Sequence, residues 1–276
     1  MKHFVIILIL AILTSSFTPR QKTWVAIGDS ITYLNDHADE TGNRITRGYM
    51  TLVGEKFKNL KYINQGHNGW TSGGIADKIE TLGLLKADLY TVFLGTNDWW
   101  AGRPIGTIDD YKNKTGNNTI YGSIRIILDK LHSLNAEAGI ILITPMQRVD
   151  FVYINDMKNN AYGSYKQKNG QSLELVADAI SKIGQLEHVD VLDLYHHHML
   201  RLEKLVKFKR LKDPATGLYK EYKFPSFIDI PFDPIKDEYP YPPASIDMTY
   251  DGLHPSDAGY RVIAKALVKM IKKFNF

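Results

Sequence analysis

Short, unbroken apolar runs recur along this chain, separated by stretches of helical periodicity, and that alternation narrows its fold more than any other feature. Thr23 to Ile27, Leu60 to Asn64, Leu89 to Leu94, Ile140 to Thr144 and Val189 to Leu194 read as strands. Runs without polar alternation belong to strands covered on both faces, as in a parallel sheet. Tyr121 to Asn135 and Ser172 to Leu186 read as helices. Ala258 to Lys273 places Val262, Ile263, Ala266, Leu267 and Met270 on one helical face. Strands alternating with helices predict a doubly wound α/β domain with crossovers on both sides. In such sheets ligands bind beyond the carboxyl ends of the strands.

A length of 276 residues suits one large domain or at most two small ones, and 44% hydrophobic residues supply a sizeable core. The formal charge of +4 is mild, and no basic stripe interleaved with aromatics occurs, so a nucleic-acid partner is not expected. There is no cysteine, which excludes a disulfide framework, a lipid-modified N-terminal cysteine and thiolate chemistry. Lys2 followed by the apolar run Phe4 to Leu13 and small residues Ser15 and Ser16 reads as a signal peptide over residues 1–20. That run is too short for a bilayer core of roughly 30 Å. A buried N-terminal strand or an uncleaved anchor is the alternative reading. With no second spanning stretch, the expectation is a secreted or periplasmic domain, residues 21–276, without stable membrane insertion after cleavage. Asn113-Lys114-Thr115 and Asn117-Asn118-Thr119 fit the glycosylation sequon and read as a polar surface loop.

One segment breaks the rhythm. Residues 195–248 open with an expected helix through Lys209 and then become rich in Pro, Tyr and Asp. An irregular insertion of this length inside a domain reads as a lid or binding loop, or as disorder. No repeat or linker marks a domain boundary.

Several loops at strand ends carry residues suited to chemistry. Gly28-Asp29-Ser30-Ile31-Thr32 follows the first strand, where a serine meets the orphan N–H groups of a helix start. Alone, such a serine is more often a plain N-cap. No G-x-S-x-G elbow is present. Asp251-Gly252-Leu253-His254-Pro255 precedes the last helix. A serine hydroxyl needs a base to take its proton, and the base needs a carboxylate to fix its tautomer. An Asp three residues before a His in one turn can reach back to the ring, although both could instead cap the helix that follows. Asn64-Gln65-Gly66-His67-Asn68-Gly69-Trp70-Thr71 and Gly95-Thr96-Asn97-Asp98 follow the second and third strands. Each by itself is ordinary turn chemistry. Together with the Ser30 N–H they offer donors for an oxyanion.

In this order the four segments resemble the blocks of the SGNH hydrolases, also called GDSL-type lipases and acylhydrolases. The resemblance runs from about Thr23 to the C-terminus, apart from the insertion. It implies a flavodoxin-like three-layer α/β/α sandwich with a five-stranded parallel sheet. It also implies a serine ester hydrolase that needs no cofactor and no metal. Ser30 would be the nucleophile, His254 the base and Asp251 its orienter. Ser30, Gly69 and Asn97 would form the oxyanion hole, with Gly69 preferred over Gly66 because it keeps the family's spacing from Asn64.

Weaker signals remain. Trp99 and Trp100 follow the third loop and are candidate substrate-binding aromatics, or core. The Tyr and Pro residues from Tyr239 to Pro243 are candidate cleft walls. His196-His197-His198 reads as a polar turn rather than a metal site, because three consecutive side chains diverge. The expected partner is a small-molecule or polysaccharide ester. Export, the indole pair and the polar insertion favour removal of short acyl groups from carbohydrate. A lipase or lysophospholipase is the alternative. A non-catalytic glycan-binding protein is a second alternative, which would predict a broken catalytic set.

Overall fold

The apolar runs do form one sheet, and its edges explain where the loops converge. The computed structural model describes residues 20–274 and Phe276, so the leader expected over residues 1–20 lies outside them apart from Arg20. Strands β1 (Lys22–Gly28), β2 (Leu60–Gly66), β3 (Leu89–Phe93) and β4 (Gly139–Ile143) are followed by a small hairpin, β5 (Phe151–Tyr153) and β6 (Asp156–Ala161), and then by β7 (Asp190–Leu192). The main sheet is parallel throughout, in the order β2-β1-β3-β4-β7. This is the flavodoxin-like doubly wound order, whose switch point lies between β1 and β3.

Both faces of the sheet are buried, which is why its strands show no polar alternation. Trp24 and Ala26 of β1 pack on one side, against Tyr49, Met50, Tyr260, Ile263 and Leu267. Val25 and Ile27 pack on the other, against Ile75, Ile124, Leu128, Val176 and Ile180. The covering helices begin where the sequence supplies hydroxyl caps. Thr119 accepts from the Gly122 N–H at 3.1 Å, and Ser172 from Leu175 N–H at 3.2 Å. These caps open the helices Ile120–Leu134 and Leu173–Glu187. The last helix, Asp257–Ile271, is capped by Ser256, which accepts from Ala258 and Gly259. That leaves Asp251 and His254 free of the capping role that was open to them.

The insertion departs from expectation twice. Only one helical turn forms, Leu202–Leu205, and Lys209 instead starts strand β8 (Lys209–Lys212), paired antiparallel with β9 (Tyr219–Tyr222). The physical reason is tertiary. Lys209 is 3% exposed and its Nζ lies 2.8 Å from the Asp150 carboxylate, so a side chain that looks like helix surface is buried at an ion pair. Residues 195–248 also extend the core, burying Leu200, Leu205, Leu211, Phe227 and Tyr241. Among the described residues no helix is long and apolar enough to cross a membrane.

Candidate active site

Register brings the loops together. Gly28 at the end of β1 sits level with Gly66 of β2 and Phe93 of β3, so the segments after all three strands leave one edge of the sheet side by side. Ser30 opens a one-turn helix, Ser30–Tyr33, and its cap is Asp29, which accepts from the Ile31 N–H at 2.9 Å. The serine hydroxyl is therefore not spent on capping. It lies 2.8 Å from His254 Nε2. On the far side of the ring, His254 Nδ1 is 2.6 Å from Asp251 Oδ2. The other oxygen, Asp251 Oδ1, accepts from the backbone N–H of Leu253 at 3.0 Å and of His254 at 2.7 Å. Asp251 is fully buried and His254 nearly so, whereas Ser30 is part-exposed at the floor of a cleft.

That cleft encloses about 380 Å³, and Ser30, Gly69, Asn97, Trp100 and His254 all line it. Gly69 takes a φ of +74°, and a Cβ there would meet nothing within 4 Å, so backbone conformation rather than crowding favours glycine. Its N–H has no acceptor among the described residues. Gly66 has a different job, because a Cβ there would come within 2.2 Å of the Tyr33 backbone nitrogen. Asn97 spends one amide hydrogen on the Trp70 carbonyl at 3.0 Å, which orients the side chain and leaves its second hydrogen free. Next to it, buried Asp98 accepts from both the N–H (2.8 Å) and the hydroxyl (2.6 Å) of Ser72, tying the Asn97 turn to the Gly69 loop.

The two indoles separate. Trp99 is 1% exposed and donates to the Gln171 carbonyl, so it belongs to the core, while Trp100 lines the cleft. Tyr239 and Tyr241, expected as cleft walls, do not line it. Their hydroxyls donate to the carbonyls of Val152 and Asp150, bracing the neighbouring wall from behind. No residue of 195–248 lines the cleft. His196 lies between Asp193 (2.8 Å) and Glu174 (3.4 Å), and His197 stacks on His198.

The wall that sequence reasoning missed is the β5–β6 hairpin with the turn before it: Arg148, Phe151, Tyr153, Asn159 and Ala161. It is fastened to the histidine loop by Val149 N–H to the Gly252 carbonyl (3.0 Å) and Val152 N–H to the Asp251 carbonyl (3.2 Å). The available signal was Phe151-Val152-Tyr153 running into Ile154-Asn155 as a turn, which is a short hairpin cue. Arg148 is 2% exposed, and burial pulls its guanidinium down to about 10, so it stays charged at neutral pH.

Burial pushes the Asp29 carboxyl up to about 6, against the Ile31 N–H that favours its ionised form. A carboxyl raised from 3.8 to about 6 on folding binds its proton more tightly in the folded state. Its stabilising contribution is complete below about pH 4 and is lost as pH rises through about 6, a cost on the order of 3 kcal/mol. Asp29→Asn keeps the cap without the charge. It should raise the melting temperature at pH 7.5, and the gain should fade below pH 4. A gain independent of pH, followed by calorimetry, would refute this account.

Residues 26–215 match the GDSL-like Lipase/Acylhydrolase family. The chain belongs to that family. Its chemistry is accordingly that of a carboxylic ester hydrolase. Among solved structures it is similar to a possible lipase from Chitinophaga pinensis, at 62% identity over 92% of this chain and 99% of that one, with a TM-score of 0.91. It shares its fold with the lipase/acylhydrolase from Enterococcus faecalis, at 20% identity over 91% of this chain and 96% of that one, TM-score 0.52. An acetyl xylan esterase, AlAXEase, is similar at 18% identity over 90% of this chain and 99% of that one, also with a TM-score of 0.52. No curated protein sequence matches the chain. The five-stranded parallel sheet of this GDSL-like hydrolase agrees with the expected fold.

Proposed function

We propose that this GDSL-like hydrolase is an exported serine esterase that removes short acyl groups, acetyl above all, from carbohydrate. The observation that carries the reading is the unbroken hydrogen-bonded chain Ser30–His254–Asp251 on the floor of the cleft. Ser30 Oγ attacks the ester carbonyl carbon while its proton passes to His254 Nε2. The oxyanion formed is held by the N–H of Ser30, which as the first helical residue has no intrahelical acceptor, by the Gly69 N–H and by the Asn97 amide. The tetrahedral species collapses as His254 returns the proton to the departing alcohol. Water then repeats the cycle on the acyl-serine and releases the acid.

A short acyl group is favoured by the cleft walls. Arg148, Glu40 and Asn159 line the cleft beside Leu34, Phe151 and Leu253, so charged and polar groups share the surface around Ser30 with apolar ones. Trp100 lines the cleft, which puts an indole within reach of a sugar. Export rests on the leader read at residues 1–20. Across acetyl, butyryl and octanoyl 4-nitrophenyl esters, kcat/KM should fall with each lengthening, and acetylated carbohydrate should release acetate. A rise with chain length would favour the lipid acylhydrolase reading, in keeping with the words "possible lipase" attached to the Chitinophaga pinensis relative.

A further inference from the structure

Arg148 is a charge in the cleft with no carboxylate in direct contact among the described residues. Glu40, on another wall, accepts from the Tyr33 hydroxyl at 2.7 Å and lies 3.5 Å from His37 Nδ1. Arg148 forms no ion pair among the described residues, and its Nε and Nη2 find no hydrogen-bond acceptor there. A guanidinium offers the two-pronged donor that a planar carboxylate accepts, and Arg148 lines the cleft. The protein's own nearby carboxylates are committed elsewhere. Asp150 serves Lys209 (2.8 Å), the Gly163 N–H (3.0 Å) and the Tyr165 hydroxyl. Asp251 serves His254 and two backbone N–H groups. Aromatic faces hold the guanidinium in place, with Trp99, Trp100 and Phe151 centroids at 5.6, 5.3 and 5.8 Å from its Cζ. Lys168 Nζ, 4.5 Å from the Trp100 centroid, adds a second positive charge beside this wall.

A buried ion is retained at a site when something completes it. We propose that Arg148 recognises a carboxylate of the substrate, so that the ester taken by this cleft is acidic, as an acylated uronic acid is. The proposal rests on the esterase reading and names its substrate class. Glu40 in the same cleft penalises excess negative charge, which favours a singly charged carboxylate over a phosphate dianion.

The test uses two acetate esters on one ring, mono-O-acetylated methyl galactopyranoside and its uronate, which differ at a single carbon. Wild-type enzyme should show a kcat/KM about ten- to a hundredfold higher for the uronate, the range of a charged hydrogen-bonded pair. In Arg148→Gln that ratio should fall to about one, and Arg148→Lys should retain part of it. A purely structural role for Arg148 would lower both rates and leave the ratio unmoved. If Arg148→Gln does not fold, the wild-type ratio decides. Equal rates, a preference for the neutral ester, or turnover of neither sugar alongside active hydrolysis of 4-nitrophenyl acetate overturns the proposal. Failure of wild-type enzyme on 4-nitrophenyl acetate instead overturns the esterase reading beneath it.

Discussion

Ser30→Ala is expected to lower kcat on 4-nitrophenyl acetate by about five to six orders of magnitude, the scale seen when the nucleophile of a coupled serine site is removed. The size follows from the proposed role: without Oγ no acyl-enzyme forms, and His254 has no proton to accept. Whatever rate remains must come from water held near the proposed oxyanion donors, the N–H groups of residues 30 and 69 and the Asn97 amide. The fold should be untouched. Asp29 makes the cap at this helix start, so the substitution removes a single hydrogen bond, the 2.8 Å contact to His254. Such a loss costs about 1 kcal/mol. Circular dichroism melting within a few degrees of wild type, together with the lost rate, is the expected pair of results. A variant retaining a tenth of wild-type turnover would remove Ser30 from the mechanism.

What made this site legible was the sheet rather than the serine. Ser30, Gly69 and Asn97 follow apolar runs whose ends the sequence marks with glycine or asparagine, and equal register at Gly28, Gly66 and Phe93 turns those three chain positions into one place. Asp251 and His254 were legible as a pair because their contact is local, three residues apart in one turn. The helix through Lys209 was misread because Leu202, Leu205 and Val206 have helical spacing, while what fixes Lys209 is an ion pair with Asp150, distant in sequence. Strand β6, Asp156–Ala161, offered no apolar period at all; its residues are mostly exposed and it exists as the partner of β5. Arg148 left no trace in the sequence. An arginine after Pro145-Met146-Gln147 looks like loop surface, and its burial comes from Trp99 and Trp100, distant in sequence, together with Phe151 three residues on. The reaction class was therefore written in short-range pattern, and the cleft wall in packing between segments.

The histidine loop shows the same coupling and sets the second large effect. Asp251→Asn should reduce kcat by about four orders of magnitude while leaving KM and the fold nearly unchanged. The backbone decides why an isosteric change is so costly. The N–H groups of Leu253 and His254 both point at Asp251 Oδ1, so an asparagine must keep its carbonyl oxygen there and turn its amide nitrogen toward His254 Nδ1. An amide can only donate at that position. The ring would then carry its proton on Nε2, 2.8 Å from the Ser30 hydroxyl, and would have no lone pair to accept the serine proton. The positive charge on a protonated ring would also lose its buried counter-charge. Rotation of the asparagine to restore the aspartate pattern would leave its NH2 facing two N–H donors in a fully buried site, which costs more than the inverted tautomer. A reduction of less than about tenfold, with the melting temperature preserved, would mean that the Asp251 contact orients nothing and that His254 is held by its other neighbours, Phe151 and Tyr250.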